Sequence, residues 1–283
     1  MEDPGTRLWL PPLGLAGCVR AVMLRDTRGR ELNAEQRENY FPAAPLVSLL
    51  WWFAGDGEWL TRPGFSVPPP GYCVGPLMLA GPFTLPSHTR NTGPMHAIKL
   101  LFPPDAFQAL TGIDAAALVN RMVPAETLLS PEWHVWAMSL HADIDDDERL
   151  ARIEAFLRPR WEALAPQRSA AQRYAEWMQA LAVRAATSAS GRSLRQIERR
   201  VKAWAGVPMR ELRAVSRAER AFLAVAASDA GSTVNWAELA VETDYADQSH
   251  LCRETRRLSG FSPEDLRRRM QTEEAFWPYR LWR

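Results

Sequence analysis

The residues best placed to do chemistry lie in Asp247 to Gly260, DQSHLCRETRRLSG. At 3.6 residues per turn, Leu251, Thr255 and Leu258 fall on one side, and Gln248, Ser249, Cys252, Arg253 and Arg256 on the other. The outward face carries positive charge and hydrogen-bond donors, so its chemistry is recognition: arginine can be bidentate to guanine and glutamine to adenine. Upstream, Trp236 to Thr243 (WAELAVET) reads as a short helix, and Asp244-Tyr245-Ala246 leaves a three-residue turn. Two helices joined this tightly suit a helix-turn-helix, whose second helix must enter a major groove about 12 Å wide. They suit equally an amphipathic hairpin with a solvated charged face.

A second copy separates these readings. A shift of 54 residues superposes Ile197 on Leu251, Arg199 on Arg253, Lys202 on Arg256, Trp204 on Leu258, Gly206 on Gly260 and Leu212 on Leu266. The upper copy, Ser193 to Gly206 (SLRQIERRVKAWAG), has an apolar side in Ile197, Val201 and Trp204 and an outward set in Arg195, Glu198, Arg199 and Lys202. Each copy ends on a glycine suited to a left-handed helix terminus, followed by Pro208 or Pro263 to begin the next helix. Ser262, Pro263 and Asp265 take the N-cap, N1 and N3 positions of that last helix.

The doubled motif, its spacing and the tract YADQSHLCRETRRLSGFSPEDLR resemble the two-motif DNA-binding domain of the AraC/XylS family of bacterial transcription regulators, over roughly Ala171 to Arg269. The resemblance implies an all-helical domain in which a long helix, here Met209 to Ala227, holds two recognition helices over successive major-groove segments. It maps base contacts onto Arg195, Glu198 and Arg199 in the first helix and onto Gln248, Ser249 and Arg253 in the second; Lys202 and Arg256 complete the expected DNA-binding set. The sequence departs from the family at Asp244, where the turn usually has glycine, and at Val201 and Thr255, where a phenylalanine is usually buried. Aspartate tolerates a left-handed conformation, so the turn is expected to survive. Compensation for the missing rings is expected from Trp204 or the C-terminal aromatics.

At 283 residues and 47% hydrophobic content the chain can build two cores. Net charge is only +1, but residues 168–283 hold 20 Lys and Arg against 14 Asp and Glu, and residues 1–167 hold 14 against 19. A basic C-terminal module joined to an acidic partner fits that asymmetry. Three scattered cysteines, Cys18, Cys73 and Cys252, point to a reducing compartment. Leu15-Ala16-Gly17-Cys18 mimics a lipoprotein cleavage box, yet Glu2, Asp3 and Pro11-Pro12 interrupt the stretch where an apolar run belongs. No stretch reaches the roughly 18 apolar residues of a membrane-spanning helix.

Residues 18 to 100 read as strands at Cys18 to Arg25, Leu46 to Phe53, Tyr72 to Ala80 and His96 to Phe102, separated by Gly- and Pro-rich breaks. Helices follow at Asp105 to Leu110, Asp114 to Met122 and Asp145 to Arg158, the last collecting Asp143, Asp145, Asp146, Asp147 and Glu148 at its N-terminus. The expected class is α+β: an N-terminal small β barrel of the cupin-like kind with following helices, then an all-α double helix-turn-helix domain. The order of elements resembles the partner domain of AraC-type regulators, and the tract GPFTLPSHTRNTGPMHAIKLLFPPDAFQALTGIDAAALVNR resembles an N-terminal domain type found ahead of such DNA-binding domains.

Enzyme motifs are missing. His88, His96, His134, His141 and His250 include no His-x-His pair, and no Cys-x-x-Cys, phosphate loop or nucleophile elbow occurs. No catalysis, cofactor or metal is expected. Among the 12 tryptophans, Trp51, Trp52, Trp59, Trp133 and Trp136 could wall an apolar pocket or simply pack the core; Trp51 and Trp52, adjacent in a strand, must face opposite ways. The tail Phe276, Trp277, Tyr279, Leu281 and Trp282 is expected to fold back on the DNA-binding domain. The whole reads as residues 1–165, an effector-sensing or dimerisation domain, and 166–283, a DNA-binding domain of a cytoplasmic bacterial regulator. Its partners are double-stranded DNA, RNA polymerase, a small-molecule effector and a second copy of the chain. Two other readings stand beside it: an N-terminal domain that binds only protein, or an enzyme tethered to DNA.

Overall fold

The computed structural model describes residues 5–60, 75–164, 174–187, 193–227 and 233–280. Its first half is built on alternation. Strands β1 (Thr6–Trp9), β2 (Ala21–Asp26), β4 (Val47–Ala54), β6 (Leu77–Ala80), β8 (His96–Phe102) and β9 (Met122–Pro124) form one antiparallel sheet in the order β1-β2-β8-β4-β6-β9. A smaller sheet, in the order β3-β7-β5, joins β3 (Glu38–Phe41), β7 (Ser87–Asn91) and β5 (Gly57–Trp59). Successive side chains on a strand point to opposite faces. Thus Ile98, Leu100 and Phe102 pack with Val22, Leu24, Leu49 and Trp51 on one face of the large sheet. Ala97, Lys99 and Leu101 turn to the other face, beside Met23, Ser48, Leu50 and Trp52.

The first face is covered by helices α1 (Pro104–Thr111), α2 (Pro131–Ser139) and α3 (Asp146–Leu164). Trp51, fully buried, donates its indole N–H to the Ala137 carbonyl at 2.8 Å and meets Trp136 edge-on, while Trp136 stacks on Phe156 at 4.0 Å. Burial of apolar surface on this scale is the main source of stability here. Cys18 is fully buried in the same core, and burial pushes its thiol up to about 12. Cys73 lies outside the described residues.

Several expectations need correction. The cupin-like barrel is not closed: an isolated bridge between Ala44 and Phe83 links the sheets instead of a continuous ladder. Strands β3, β5 and β7 have only three to five residues, too short to carry the ladder round beside the eight-residue β4. Asp114 to Met122 is not one helix: Asp114 caps a 3-10 turn over Ala115–Leu118, Asn120 takes a φ of +56°, and Met122 enters β9. The helix that begins in the acidic run does not stop at Pro159 but continues to Leu164, with Leu157 and Trp161 buried on either side of the proline. The strand read over Tyr72 to Ala80 starts at Leu77 among the described residues; Tyr72 to Val74 lie outside them.

The second half is helical: α4 (Tyr174–Thr187), α5 (Leu194–Ala205), α6 (Met209–Ala227), α7 (Trp236–Glu242), α8 (Gln248–Ser259), α9 (Pro263–Thr272) and the short α10 (Trp277–Arg280). It rests against the first half through polar and aromatic contacts. The Trp177 indole donates to Asp105 at 2.8 Å, and Arg184 pairs with the same carboxylate at 2.8 Å. Arg20 pairs with Glu219 at 2.9 Å. The Ala43 amide donates to the Leu258 carbonyl at the end of α8, 2.8 Å away. Tyr40 of β3 packs between Phe261 and Phe276.

Candidate nucleic-acid interface

The 54-residue shift carries α5 onto α8 residue for residue, Leu194 to Gln248 and Ala205 to Ser259. Both helices start from a side-chain cap, which satisfies amides otherwise left without partners. Ser193 and Gln196 form a reciprocal capping box on α5, and Asp247 accepts from the His250 amide at 2.6 Å on α8. Both end on a glycine in the left-handed region, Gly206 at φ +75° and Gly260 at +83°. Only glycine adopts that conformation without a steric penalty. The Ser262 hydroxyl caps α9 at the Asp265 amide, with Pro263 in the first turn.

Each copy buries the face assigned to it from sequence. Leu251, Thr255 and Leu258 are buried, and so is Val201, with Ile197 and Trp204 packed at the edge of the same cluster. The absent phenylalanines are replaced in two ways. In the first copy Trp204 fills space beside Val201, and the Arg184 guanidinium covers its ring at 4.5 Å. In the second, Phe261, Phe276 and Tyr279 form a cluster with Leu266 and Met270 behind α8 and α9. Asp244 has φ +61°, and Arg220 pairs with its carboxylate at 2.6 Å.

All eight residues assigned to DNA contact, Arg195, Glu198, Arg199, Lys202, Gln248, Ser249, Arg253 and Arg256, are exposed. Among the described residues, the five cations of this set form no ion pair and no side-chain hydrogen bond. Their neighbours behave differently. Arg257 pairs with Glu211 at 2.7 Å, Arg217 holds Glu254 through two nitrogens, and Arg200 donates to the Ala185 carbonyl at 2.8 Å. Cations on the flanks brace the helices, while those on the outward faces have no such partner among the described residues.

Two residues of this surface escaped the sequence reading. Leu194, in register with Gln248, is 82% exposed at the first turn of α5. An apolar residue in a helical pattern is assigned to the core by default, and only its place ahead of the apolar stripe distinguishes it. Arg210, at the start of α6, lines a shallow cleft with Arg195, Arg199 and Lys202. Its position two residues after Pro208, at a helix start beside the first copy, was the available signal.

The histidines are dispersed. His88 stacks on Tyr40 and meets Glu38 at 3.0 Å, whereas His96 meets Asp146 at 3.0 Å on the opposite side of the large sheet. The C-terminal aromatics divide as well: Phe276 and Tyr279 fold onto the helical half as expected, but Trp277 crosses to the sheets, where its indole donates to Asn39 at 2.8 Å. Leu281 and Trp282 lie outside the described residues.

Fold and surface together define an α+β protein with an open two-sheet half and a helical half carrying two helix-turn-helix units in tandem. No protein-family model matches the chain, and no curated protein matches it. Solved structures of ToxT from Vibrio cholerae resemble it at low identity. One covers 95% of this chain and 100% of its own at TM-score 0.39 and 10% identity. An apo variant covers 87% and 96% at 0.39 and 12%, and a third structure 83% and 95% at 0.38 and 9%. Among the described residues no helix is long and apolar enough to cross a membrane.

Proposed function

We propose that the protein is a sequence-specific DNA-binding transcription regulator of the AraC/XylS type. In this reading α5 and α8 enter successive major-groove segments of one duplex. The observation that carries it is the partition of charge: Arg195, Arg199, Lys202, Arg253 and Arg256 stand exposed and, among the described residues, unpaired on two register-matched helix faces, while adjacent arginines are bound to carboxylates or carbonyls. Helix N-terminal residues reach base edges and later ones reach phosphate. Gln248, Ser249 and Arg253 are therefore the readers on α8, and Leu194, Arg195, Glu198 and Arg199 on α5, with Leu194 suited to a thymine methyl. Lys202 and Arg256, a turn further along, serve phosphate.

The division falls at residues 1–165 for the control domain and 166–283 for the DNA-binding domain. Control comes from a small-molecule effector in the first, and no chemical step is required of either. A second copy and RNA polymerase are the protein partners expected at an operator, in a bacterial cytoplasm. The test is selection of bound sites from a random duplex pool by the full chain at about 150 mM salt, where non-specific binding is suppressed. A motif in two parts, centred about one helical turn apart, is expected. Recovery of no motif, or of a single short uninterrupted one, contradicts the two-helix reading.

A further inference from the structure

The 54-residue register also pairs the helices that follow α5 and α8, and there the two copies part in charge. At the start of α6 stand Arg210 and Arg213; at the matching places on α9 stand Glu264 and Arg267. Arg210 and Arg213 are both exposed. Glu264 accepts from the Trp236 indole at 3.2 Å and meets Arg267 at 3.4 Å, and the Arg267 side chain is only 13% exposed. The contrast runs on along the outward helices: Arg195 matches Ser249 and Glu198 matches Cys252, while Arg199 and Lys202 match Arg253 and Arg256. Over these six positions the first copy presents five cations and one carboxylate; the second presents three cations, one of them drawn onto its own carboxylate.

The cations of the first copy also share a space. A cleft of about 620 Å³ is lined by Arg195, Arg199 and Lys202 of α5 and by Pro208, Met209 and Arg210 at the start of α6. Glu198 is the one acidic residue that lines it among the described residues. The Arg210 side chain is 85% exposed, and its pairing with Glu211 is long, at 3.8 Å. Glu211 is held more closely by Arg257, at 2.7 Å. A long, exposed pair of this kind contributes little, so Arg210 keeps its charge for the cleft. Four cations around one open cleft repel one another, and an extended polyanion relieves them. Walls of exposed polar side chains suit a chain that passes through, whereas a small molecule is held by enclosing apolar walls.

We infer that this cleft takes the sugar-phosphate backbone of one DNA strand beside the groove segment read by α5, with Arg210 and Lys202 on its phosphates. The first unit is then the electrostatic anchor of the protein on DNA, and the second contributes mainly through base edges. Arg210 positions the duplex and carries no sequence preference of its own. The inference rests on the regulator reading and adds which unit holds the duplex and which discriminates. Each phosphate neutralised by a side chain releases condensed counterions, so an anchor of this kind is visible in the salt dependence of binding.

The test is equilibrium binding of the full chain to the selected duplex and to an unrelated duplex of equal length, between about 50 and about 300 mM salt. Arg210→Ala should weaken both duplexes alike, by about three- to tenfold at about 150 mM salt, and should lower the slope of log affinity against log salt by about 1. The preference at every base position and the melting temperature should stay as in the wild type. Lys202→Ala combined with Arg210→Ala should lower the slope by about 2, whereas Arg256→Ala combined with Glu264→Gln should lower it by about 1 or less. Glutamine keeps an acceptor for the Trp236 indole. An unchanged slope in Arg210→Ala, or discrimination lost at a base position, would overturn the backbone contact, and equal slope losses in the two double variants would overturn the unequal share. With either result, a two-part motif recovered by the wild type would leave the regulator reading standing. Failure of the wild type to bind either duplex at about 50 mM salt would overturn both.

Discussion

The outward helices of the two units, α5 and α8, share length, register and caps and differ in what they present. Under the 54-residue shift α5 and α8 coincide from first to last residue, yet one opens on an exposed Leu194 and the other on Gln248. The first copy closes its core with Trp204 beside Val201, capped by an arginine from α4; the second borrows a cluster of aromatic rings from the chain's last helices. What is repeated is the scaffold: cap, apolar stripe, terminal glycine. What varies is the leading edge, Leu194 against Gln248, and the packing behind, where each unit is anchored to the first half of the chain. One anchor is Asp105, held by Trp177 and Arg184; the other is the Ala43 amide on the Leu258 carbonyl.

That contrast can be broken from the core outward. Leu251 is 1% exposed, so Leu251→Ala should destabilise the chain by about 2–4 kcal/mol. Ile197 is only partly buried at the matching position, and Ile197→Ala should cost about 1–2 kcal/mol. Chemical denaturation of both variants gives the ratio; equal losses would mean that the two cores carry equal weight. Arg199→Ala and Arg253→Ala should each weaken binding to the selected site by about 1–3 kcal/mol without lowering the melting temperature, since neither side chain has an intramolecular partner among the described residues. Arg257→Ala should do the reverse, because its partner is Glu211. Leu194→Ala should relax a thymine preference and Gln248→Ala an adenine preference, each by about 1 kcal/mol in quantitative binding to single-base variants of the site. An effect of similar size belongs to the caps: Ser193→Ala and Asp247→Ala should each cost about 1 kcal/mol of stability by denaturant melts.

The helical half was legible because its information is local. Caps, apolar spacing and terminal glycines sit within one or two turns of what they determine, so α6, α8 and the register of the repeat follow from the residues alone. Strand β8 was equally clear, but its meaning was not. HAIKLLF shows alternation without saying which face meets helices and which meets the second sheet, and so Lys99 gave no sign of standing in an apolar cavity. The acidic run at the start of α3 also hid a role: burial alone would raise the Asp146 carboxyl, yet His96 and Arg149 draw it below its ordinary value. Trp277 was misassigned for a related reason. Its neighbours Phe276 and Tyr279 do pack on the helical half, and a tail of four residues turns one ring the other way onto Asn39, a contact between positions 238 residues apart. Barrel closure failed as an expectation because strand count is visible in a sequence, whereas strand lengths of three and four residues depend on where pairing partners end.

The most direct test of the account is base-by-base binding of Arg199→Ala and Arg253→Ala to the selected duplex, every position substituted in turn. If α5 and α8 read separate groove segments, each variant loses discrimination in one half of the site and keeps it in the other. Loss spread uniformly over all positions, or confined to the same half in both variants, would contradict that claim.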